Sequence, residues 1–454
     1  MIEPHLPPYP DYKPSDVEWL GDVPVHWEVV QLGRIGRFCK GSGGTKADGV
    51  PEGVPCIRYG DLYTSHKYHI RASRSCVSEI DASKYTPLRY GDILFAGSGE
   101  TLEEIGKSAV NLIEQPACCG GDVILFRSER ELDAVFSGYA VDCPAAQYQK
   151  STMGRGITVM HIYGSELKHL WIALPPLAEQ VAIARYLDHV DRRIQRCIEA
   201  KEKLIALLQE ARQATIQRAV TRGLDPDVPL KPSGFDWMGD VPAHWEVRRL
   251  RHLIEGNLTY GANAAAEYDD PSWPRYLRIT DFATDGTLRD DTFRSLPPKM
   301  ANGYLVQAGD VLLARSGATV GKAFLVTSEI DQACHAGYLI RARPKLGLIE
   351  PKFLFAFTQS PAFASWRDST FIIATIHNIS AEKYASLPVP TPPYEEQKRI
   401  AAHLDQATAA IDSAIGNARR QVEQMAEYRA SLIAHVVTGK LDVRAAAERT
   451  GVAT

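Results

Sequence analysis

The segment KPSDVEWLGDVPVHWEV at residues 13–29 returns 218 residues later as KPSGFDWMGDVPAHWEV at residues 231–247, and twelve of the seventeen positions are identical. Two further segments recur in the same order at similar offsets: GDILFAGSGET at 91–101 as GDVLLARSGAT at 309–319, and PPLAEQ at 175–180 as PPYEEQ at 392–397. This period is far longer than that of a solenoid repeat. The chain is therefore predicted to contain one domain with its connector twice.

The two copies diverge between these shared segments. Residues 30–90 and 120–160 have little in common with their counterparts beyond spacing. A shared scaffold with different variable stretches is expected of two related domains that recognise different targets. The pattern predicts an extended N-terminal segment at 1–29, a first domain at 30–175, a helix at 176–224, a linker at 225–247, a second domain at 248–392, a helix at 393–442 and a tail at 443–454.

The composition is that of a globular protein, because no stretch approaches the ~20 apolar residues that a transmembrane helix needs. The first residues, MIEPHLPPYP, lack the basic start and apolar run of an export signal, so we expect a cytoplasmic protein. Its eight cysteines include no CxxC pair, which favours reduced thiols over a disulfide framework or a zinc site. The net charge of −4 argues against nucleic-acid binding unless basic residues are clustered or a partner supplies positive surface.

Each copy is predicted to combine short strands with one long helix. Apolar runs bounded by Gly, Ser and Asp predict strands at 92–95, 122–126 and 310–313. The Gly-Asp pairs at 91–92 and 309–310, which both copies share, are predicted to form structural turns. A Pro-Pro pair precedes each long helix, consistent with the tolerance of proline in a first helical turn.

The two long helices are predicted to pair as an antiparallel coiled coil, the first running from about residue 177 to 221. Apolar residues alternate spacings of three and four, which specifies a narrow seam. The predicted seam positions are Leu187, Val190, Ile194, Cys197, Lys201 (the one breach), Leu204, Leu208, Ala211 and Thr215, and then Leu404, Thr408, Ile411, Ile415, Ala418, Val422, Met425, Arg429, Leu432 and Val436. The first helix leads to the second domain, so a paired second helix must run back, with one domain at each end. The alternative is that each helix packs only on its own domain.

This order of variable domain, long helix, variable domain and long helix resembles the specificity subunit of type I restriction–modification enzymes. The resemblance rests on W-x-x-x-x-P-x-H-W, Gly-Asp-Ile-Leu (Gly-Asp-Val-Leu in the second copy) and Pro-Pro-x-x-Glu-Gln, each present twice, and it covers about Lys13 to Asp442. It implies an α/β fold of the α+β kind, with two pseudo-two-fold related target recognition domains separated by two long antiparallel coiled-coil helices.

The resemblance also implies a non-catalytic role. Each target recognition domain would read one half of a split, asymmetric site in double-stranded DNA. The helices would act as a spacer and would dock two methyltransferase subunits, which carry S-adenosylmethionine and methylate adenine. Restriction subunits that translocate and cut DNA with ATP and Mg²⁺ would complete the assembly. This chain itself is expected to hold no cofactor and no metal and to contact no membrane.

Candidate DNA-contacting residues are polar, basic or aromatic side chains in loops, because such groups contact base edges and phosphates. In the first copy they are Thr45 and Lys46, then Arg58, Tyr59, Lys67, Arg71 and Arg74 in a basic run with interleaved aromatics, and Ser98, Arg155 and Thr158. In the second copy they are Tyr260, Asn263, Arg278, Thr280, Arg315, Ser316, Thr319, His377 and Asn378. The alternative for each is a solvated loop position.

The helix starts supply the predicted contacts to the methyltransferase subunits, together with the outer helix faces. These contacts are Glu179, Gln180, Glu396 and Gln397. The alternative is that the glutamates only interact with the positive helix N-terminus. Trp19, Trp27, Trp237 and Trp245 are expected to be packing residues that fasten the extended segments to the helix ends.

Several catalytic motifs are imitated but incomplete. FAGSG at 95–99 resembles a methyltransferase FxGxG loop that the second copy does not keep, and TPPY at 391–394 has threonine where the motif needs Asn or Asp. Residues 101–108 resemble a Walker A loop without its first glycine. His66 and His69 lack a third metal ligand. A self-sufficient methyltransferase or nuclease, and a free-standing DNA-binding regulator, stay open as alternatives.

Overall fold

The structure, a computed structural model, describes residues 6–44, 46–156, 159–282, 288–328, 330, 332–370 and 378–449. The chain divides into two compact units, Met1–Lys201 with Arg420–Thr454 and Glu202–Arg419. Each unit therefore joins one predicted variable domain to parts of both predicted long helices. Among the described helices, none is long and apolar enough to cross a membrane.

The described part of the first unit is a mixture of short strands and short helices. The strands are β1 (Tyr12–Pro14), β2 (Asp22–Pro24), β3 (Glu28–Gln31), β4 (Gly36–Lys40), β5 (Gly49–Val50), β6 (Val54–Ile57), β7 (Tyr68–Ile70), β8 (Cys76–Val77), β9 (Thr86–Leu88), β10 (Ile93–Ala96), β11 (Ser98–Gly99), β12 (Ser108–Asn111), β13 (Ala117–Cys119), β14 (Val123–Ser128), β15 (Met160–His161) and β16 (Trp171–Leu174). The helices are α1 (Tyr59–Thr64), α2 (Glu79–Ala82), α3 (Ala134–Asp142), α4 (Pro144–Met153) and α5 (Gly164–Leu167), followed by the long helix α6 (Leu177–Arg222). Two 3-10 helices cover Leu32–Arg34 and Lys46–Asp48.

Two five-stranded sheets form the body of this unit. Their strand orders are β4-β14-β10-β12-β7 and β5-β8-β6-β13-β9. The β12–β7 and β6–β13 pairs are parallel, and the other pairs are antiparallel. Strand β3, at the start of the domain, pairs with β16 at its end, which closes the domain where α6 begins.

The second unit repeats this arrangement with fewer described strands. They are β17 (Leu230–Pro232), β18 (Asp240–Pro242), β19 (Glu246–Arg249), β20 (Thr259–Tyr260), β21 (Arg275–Leu277), β22 (Val311–Ala314), β23 (Ala323–Leu325), β24 (Ala333–His335), β25 (Leu339–Ala342) and β26 (Pro388–Thr391). The helices are α7 (Pro298–Ala301), α8 (Pro351–Thr358), α9 (Pro361–Ser369), α10 (Ala381–Ala385) and the long α11 (Tyr394–Val437), while α12 (Arg444–Arg449) belongs to the first unit. The 3-10 helices are Leu250–His252, Ile279–Asp281, Asp290–Thr292, Asn302–Tyr304 and Gly317–Thr319.

The sheets of the second unit keep the central pairings of the first. One sheet has the order β20-β25-β22-β23, and β21 pairs with β24 in parallel. Strand β19 pairs with β26 as β3 pairs with β16. The strand pairings therefore confirm that the sequence repeat is a repeat of structure.

Strands β10 and β22 occupy the centre of their units and are buried on both faces. Alternate side chains of β10 (ILFA) enter two different core clusters, and those of β22 (VLLA) do the same. Successive side chains of a strand point to opposite faces, so a strand with two buried faces needs an unbroken apolar run. The predicted strands are confirmed, each beginning one residue later than expected.

A buried ion pair holds the turn before each central strand. Asp92, 2% exposed, accepts hydrogen bonds from Nε and Nη2 of Arg127 at 2.8 and 2.6 Å. Asp310, fully buried, accepts the equivalent pair from Arg343, both at 2.8 Å. The glycine before each aspartate has a φ of +85° or +93°, a conformation that favours glycine. The predicted structural turns are confirmed.

Each long helix starts against the repeated tryptophan segment. Glu179 of α6 accepts hydrogen bonds from His26 Nε2 at 2.8 Å and from Trp27 Nε1 at 3.1 Å. Glu396 of α11 accepts the equivalent bonds from the second copy of the His-Trp segment, also at 2.8 and 3.1 Å. Both tryptophans are fully buried. The predicted fastening to the helix ends is confirmed for these two tryptophans, whereas Trp19 packs against Tyr148 of α4 and Trp237 against Phe235.

The two long helices lie side by side and antiparallel within each unit. In the first unit, the guanidinium of Arg429 on α11 donates to both carboxylate oxygens of Asp191 on α6. In the second unit, Nε of Arg212 on α6 donates to Asp412 on α11 at 2.8 Å. The early part of α6 thus meets the late part of α11 in one unit, and the reverse holds in the other. Helix pairing is confirmed, and packing of each helix on its own domain alone is not what the chain does.

The seam of α6 differs from the prediction. The predicted positions Cys197, Leu204 and Ala211 are exposed, and the buried or half-buried positions lie one residue later, at Ile198, Ile205 and Arg212. From Val190 the positions that face α11 advance by four residues twice, to Ile194 and then to Ile198, whereas the prediction had a step of three after Ile194. An α-helix has 3.6 residues per turn, so an extra step of four keeps the apolar side facing its partner over a longer stretch. All ten seam positions predicted for α11 are buried or half-buried.

The observed seam of α6 predicts that substitutions at two neighbouring positions affect the free energy of unfolding very differently. Ile198→Ala is expected to lower the free energy of unfolding by about 2–5 kcal/mol, because it removes a buried side chain and leaves a cavity. Cys197→Ala, at an exposed position, is expected to change it by less than about 0.5 kcal/mol. Chemical denaturation of the two variants measures both values, and equal losses would contradict the observed seam.

The buried turn predicts a second stability difference. Arg127→Met leaves the Asp92 carboxylate buried without its partner and is expected to cost about 3 kcal/mol. Arg130→Met is the matched control, because Arg130 pairs with Glu28 at a site where the two side chains are 50% and 62% exposed. Loss of that exposed pair is expected to cost less than about 1 kcal/mol. Thermal unfolding compares the two variants, and a control as unstable as Arg127→Met would refute the role given to the ion pair.

Candidate functional site

A groove in the second unit collects polar and aromatic side chains. Its volume is about 500 Å³, and its lining consists of Tyr260, Gly261, Asn263, Arg315, Ser316, Gly337, Tyr338 and Asn378. The guanidinium carbon of Arg315 lies 4.7 Å from the ring centre of Tyr260, and its Nε donates a long hydrogen bond of 3.4 Å to Asn378 Oδ1. The Tyr260 hydroxyl accepts a hydrogen bond from the Ala381 N–H at 2.9 Å, which fixes the ring beneath the arginine.

A larger groove of about 770 Å³ lies in the first unit. Its polar lining residues are Arg37, Cys39, Lys40, Ser98, Asp122, His161, Tyr163, Ser165 and Lys168. Ser98 Oγ and His161 Nδ1 lie 3.0 Å apart, within hydrogen-bond distance. The ring of Tyr163 is stacked beside His161 with 6.4 Å between ring centres. Basic side chains outnumber the one acidic side chain of this lining.

The first groove is built where β10 ends. Gly97 follows that strand, its N–H donates to the Asp122 carbonyl at 3.2 Å, and its carbonyl accepts from the Ile162 N–H at 3.0 Å. Lys40, the last residue of β4, lies opposite Ile124 of β14. Four separate chain segments therefore meet at one place.

The second groove is built on the same backbone frame. Arg315 follows β22, its N–H donates to the Tyr338 carbonyl at 3.0 Å, and its carbonyl accepts from the Ile379 N–H at 2.8 Å. Tyr260, the last residue of β20, lies opposite Ile340 of β25. These hydrogen bonds and registers define equivalent positions in the two grooves.

The equivalent positions carry different side chains. Lys40, Gly97, Asp122 and His161 of the first groove correspond to Tyr260, Arg315, Tyr338 and Asn378 of the second. A serine follows Gly97 and Arg315 in both units, as Ser98 and Ser316. The frame is therefore shared, and the groups that face a ligand differ in charge, size and hydrogen-bonding capacity.

Six of the sequence-predicted residues line the two grooves. They are Ser98 in the first unit, and Tyr260, Asn263, Arg315, Ser316 and Asn378 in the second. Arg155 is exposed. It lies beside the first groove, since its N–H donates to the carbonyl of the groove residue His161 at 2.9 Å. The structure thus places five of the second-copy candidates in one groove, but only one of the first-copy candidates in the other.

Three predicted arginines take part in contacts within the chain. Arg71 donates to Asp188 of α6 at 2.7 Å. The guanidinium of Arg278 donates to both carboxylate oxygens of Asp281, at 3.1 and 2.6 Å. Arg58 directly precedes α1, and its N–H donates to the Asp61 carboxylate at 2.9 Å. None of these three residues is among the lining residues of a groove.

The other predicted residues stand apart from the grooves or outside the described residues. Tyr59, Lys67, Arg74 and Thr280 are exposed, Thr319 is half-buried, and Lys46 belongs to the 3-10 helix Lys46–Asp48. Thr45, Thr158 and His377 lie outside the described residues. Their predicted DNA contacts stay predictions.

The residues predicted to contact a partner at the helix starts lie largely inside the domain. Glu179, Gln180 and Gln397 are buried, and the Glu396 side chain is 19% exposed. Gln180 accepts from the Asp133 N–H at 3.0 Å and donates to the Pro175 carbonyl at 2.9 Å. Gln397 makes the equivalent pair of bonds, each at 2.8 Å. Their hydrogen bonds are made inside the domain and anchor each helix start, and their predicted contact with a partner stays a prediction.

Sequence reasoning missed several groove residues. Lys40, Asp122, His161 and Tyr338 line the grooves but were not predicted. A signal for His161 was present, since Asn378 was predicted in the second copy and His161 lies 217 residues before it. The other three lie at strand ends, where the pairing register decides which side chain reaches the groove.

The chemistry of the grooves suits recognition. Cations, hydroxyls, amides and aromatic faces are the groups that contact phosphates and base edges. No group of His, Cys, Asp and Glu in the described chain could hold a metal ion. His69, considered as half of a metal pair, lies with Nε2 2.9 Å from the Val135 carbonyl, and burial lowers its pKa.

The duplicated fold and its paired grooves define a protein with two related recognition domains. Both copies match one family model, described as the type I restriction modification DNA specificity domain, over residues 24–206 and 242–424. The chain belongs to this family. The matched ranges contain both grooves and the first part of each long helix.

Individual relatives agree with this assignment. The chain is 23% identical over 438 residues to the type I restriction enzyme MjaVIII specificity subunit of Methanocaldococcus jannaschii, covering 93% of this chain and 94% of that protein. It is 27% identical over 306 residues to the EcoBI specificity subunit of Escherichia coli, covering 64% and 63%. A solved chain from work on complex assembly and conformational transition of the type I R-M system matches its fold with a TM-score of 0.66 and 18% identity, covering 92% of this chain and 99% of that one.

Proposed function

We propose that the chain recognises a two-part site in double-stranded DNA, one part with each groove, as the specificity subunit of a type I restriction–modification enzyme. The observation that carries this proposal is the pair of grooves, which share a backbone frame and differ at four side-chain positions. Phosphate contacts position a protein on DNA, whereas side chains at base edges select the sequence. Two readers with different side chains on one frame therefore suit a split, asymmetric site.

The groove composition answers the objection raised by the net charge. Arg37, Lys40 and Lys168 line the first groove beside one acidic residue, Asp122. Arg315 lines the second groove, and no acidic side chain is among its described lining residues. Binding to phosphates depends on the local density of cations, so an acidic chain can bind DNA through basic grooves.

The proposal places catalysis in partner subunits. Two methyltransferase subunits would supply S-adenosylmethionine chemistry, restriction subunits would supply ATP- and Mg²⁺-dependent cleavage, and this chain would hold no cofactor. The donors, cations and aromatic faces of the grooves support a recognition role. These partners are the ones that the type I restriction–modification family implies.

An exposed apolar stripe on α6 supports a docking surface for a methyltransferase subunit. Within the second unit, Leu204 and Leu207 are 41% and 53% exposed, and Ala211 and Ala214 are exposed as well. Their spacings of three, four and three place them on one side of the helix, away from the seam. Such a stripe fits an apolar helix face of a partner, and it belongs to the outer helix faces that were predicted for this contact together with the helix starts.

The proposed recognition is tested by enriching randomised DNA duplexes with the purified chain and a methyltransferase subunit from the same organism. Sequencing is expected to give two short motifs at a fixed spacing. Combining Lys40→Ala with His161→Ala is expected to lower the base preference of one motif about tenfold or more and to leave the other unchanged, because both side chains lie in one groove.

Three outcomes would contradict the proposal. They are an absence of any enriched sequence, one continuous motif, and equal weakening of both motifs by the double substitution. A domain exchange over residues 30–174 with another family member provides the positive control, since it should replace one motif and keep the other.

The proposed docking stripe is tested by Leu207→Glu, which places a charge on the apolar contact. Co-purification with the methyltransferase subunit is expected to fall at least tenfold, whereas Gln209→Glu, an exposed substitution on another side of α6, should leave it unchanged. Co-purification unaffected by Leu207→Glu would refute the stripe. Stoichiometric binding of S-adenosylmethionine by the chain alone would favour a self-sufficient methyltransferase.

A further inference from the structure

We infer that Arg315 reads a guanine in the half-site of the second unit, and that the first unit lacks this contact. The inference rests on the proposed DNA recognition and identifies a specificity-determining residue within it. Three observations support it. Arg315 is stacked on Tyr260, two of its nitrogens have donors left over, and the first groove has other residues at the positions of both Arg315 and Tyr260.

Arg315 is held in place before any ligand binds. Its guanidinium stacks over Tyr260 at 4.7 Å, and its Nε donates to Asn378 Oδ1 at 3.4 Å. Tyr260 is itself fixed by its hydrogen bond from the Ala381 N–H. Stacking of the planar guanidinium on an aromatic ring sets the orientation of its plane. An arginine fixed in this way loses less side-chain entropy on binding than a free one.

The donors that remain suit the edge of a guanine. Nη1 and Nη2 of Arg315 make no hydrogen bond to any described residue, and the side chain is half-buried. Two N–H groups of a guanidinium match the O6 and N7 acceptors that guanine presents in the major groove. A phosphate can be bound by the same planar fork, but the guanidinium stacks on Tyr260 within a groove lined by amide and hydroxyl groups, and this combination favours a base edge.

The first groove lacks both the arginine and its support. Gly97 takes the position of Arg315, and Lys40 takes the position of Tyr260. Asn378 is replaced by His161, which contacts Ser98. The first unit therefore reads its half-site with other groups, and the two half-sites differ at the base pair that faces this position.

The test uses the full chain with its methyltransferase subunit and the randomised duplex pool. Wild-type protein is expected to select an invariant G·C pair in the half-site that the Lys40 and His161 substitutions do not affect. Arg315→Gln is expected to lower the preference for guanine at that pair about 10- to 100-fold and to leave the other half-site unchanged. Arg315→Lys keeps the charge without the planar fork, so it is expected to lose the preference while low-salt binding stays within a few-fold.

Arg248→Gln is the matched control. Arg248 lies on β19 and pairs with Glu246, and it is not among the lining residues of the groove. Its loss is expected to leave both motifs unchanged. Thermal unfolding midpoints within a few degrees of wild type establish that each variant is folded.

Two results would overturn the inference while the proposed function stands. One is an unchanged guanine preference in Arg315→Gln. The other is uniform weakening on all sequences with a smaller salt dependence, the behaviour of a phosphate contact. A wild-type chain that enriches no motif would instead overturn the proposed function itself.

Discussion

Both grooves depend on one constraint, the fixed backbone at the residue that follows the central strand of each unit. At Gly97 and at Arg315, the N–H and the carbonyl are both held by hydrogen bonds to other segments. The strand before each residue is buried on both faces, and a buried carboxylate–arginine pair holds the turn before that strand. Because the same hydrogen bonds hold the backbone in both units, the side chains there can differ while the frame is kept, and a duplicated domain can present different groups from the same place.

The repeated motifs of the sequence are accordingly structural. In the first unit, hydrogen bonds within the domain engage the side chains of Glu179 and Gln180. In the second unit, they engage those of Glu396 and Gln397. These contacts anchor each helix start, where the positive end of the helix also favours a carboxylate. The shared glutamates and glutamines therefore maintain the scaffold, whereas four of the groove positions carry side chains that differ between the copies.

Much of the architecture could be predicted from the chain. The apolar runs at β10 and β22, the Gly-Asp turns and the helix α6 were predicted within about a residue, and α11 was predicted with its start within a residue and its end five residues too late. The seam of α6 could not, because Cys197 and Ile198 are both apolar and only contact with α11 decides which is buried. Likewise Arg71 and Arg278 have the chemistry of DNA contacts, yet nearby carboxylates bind them in the folded chain.

The sequence by itself determined that one domain and one helix occur twice, since twelve identities in seventeen positions need no coordinates to be recognised. It also supplied most residues of the second groove. Only the tertiary structure decided that Lys40, Gly97, Asp122 and His161 occupy the same positions as Tyr260, Arg315, Tyr338 and Asn378. The physical reason is that strand register and long-range backbone hydrogen bonds bring these residues together. Neither can be deduced from the spacing of residues along the chain.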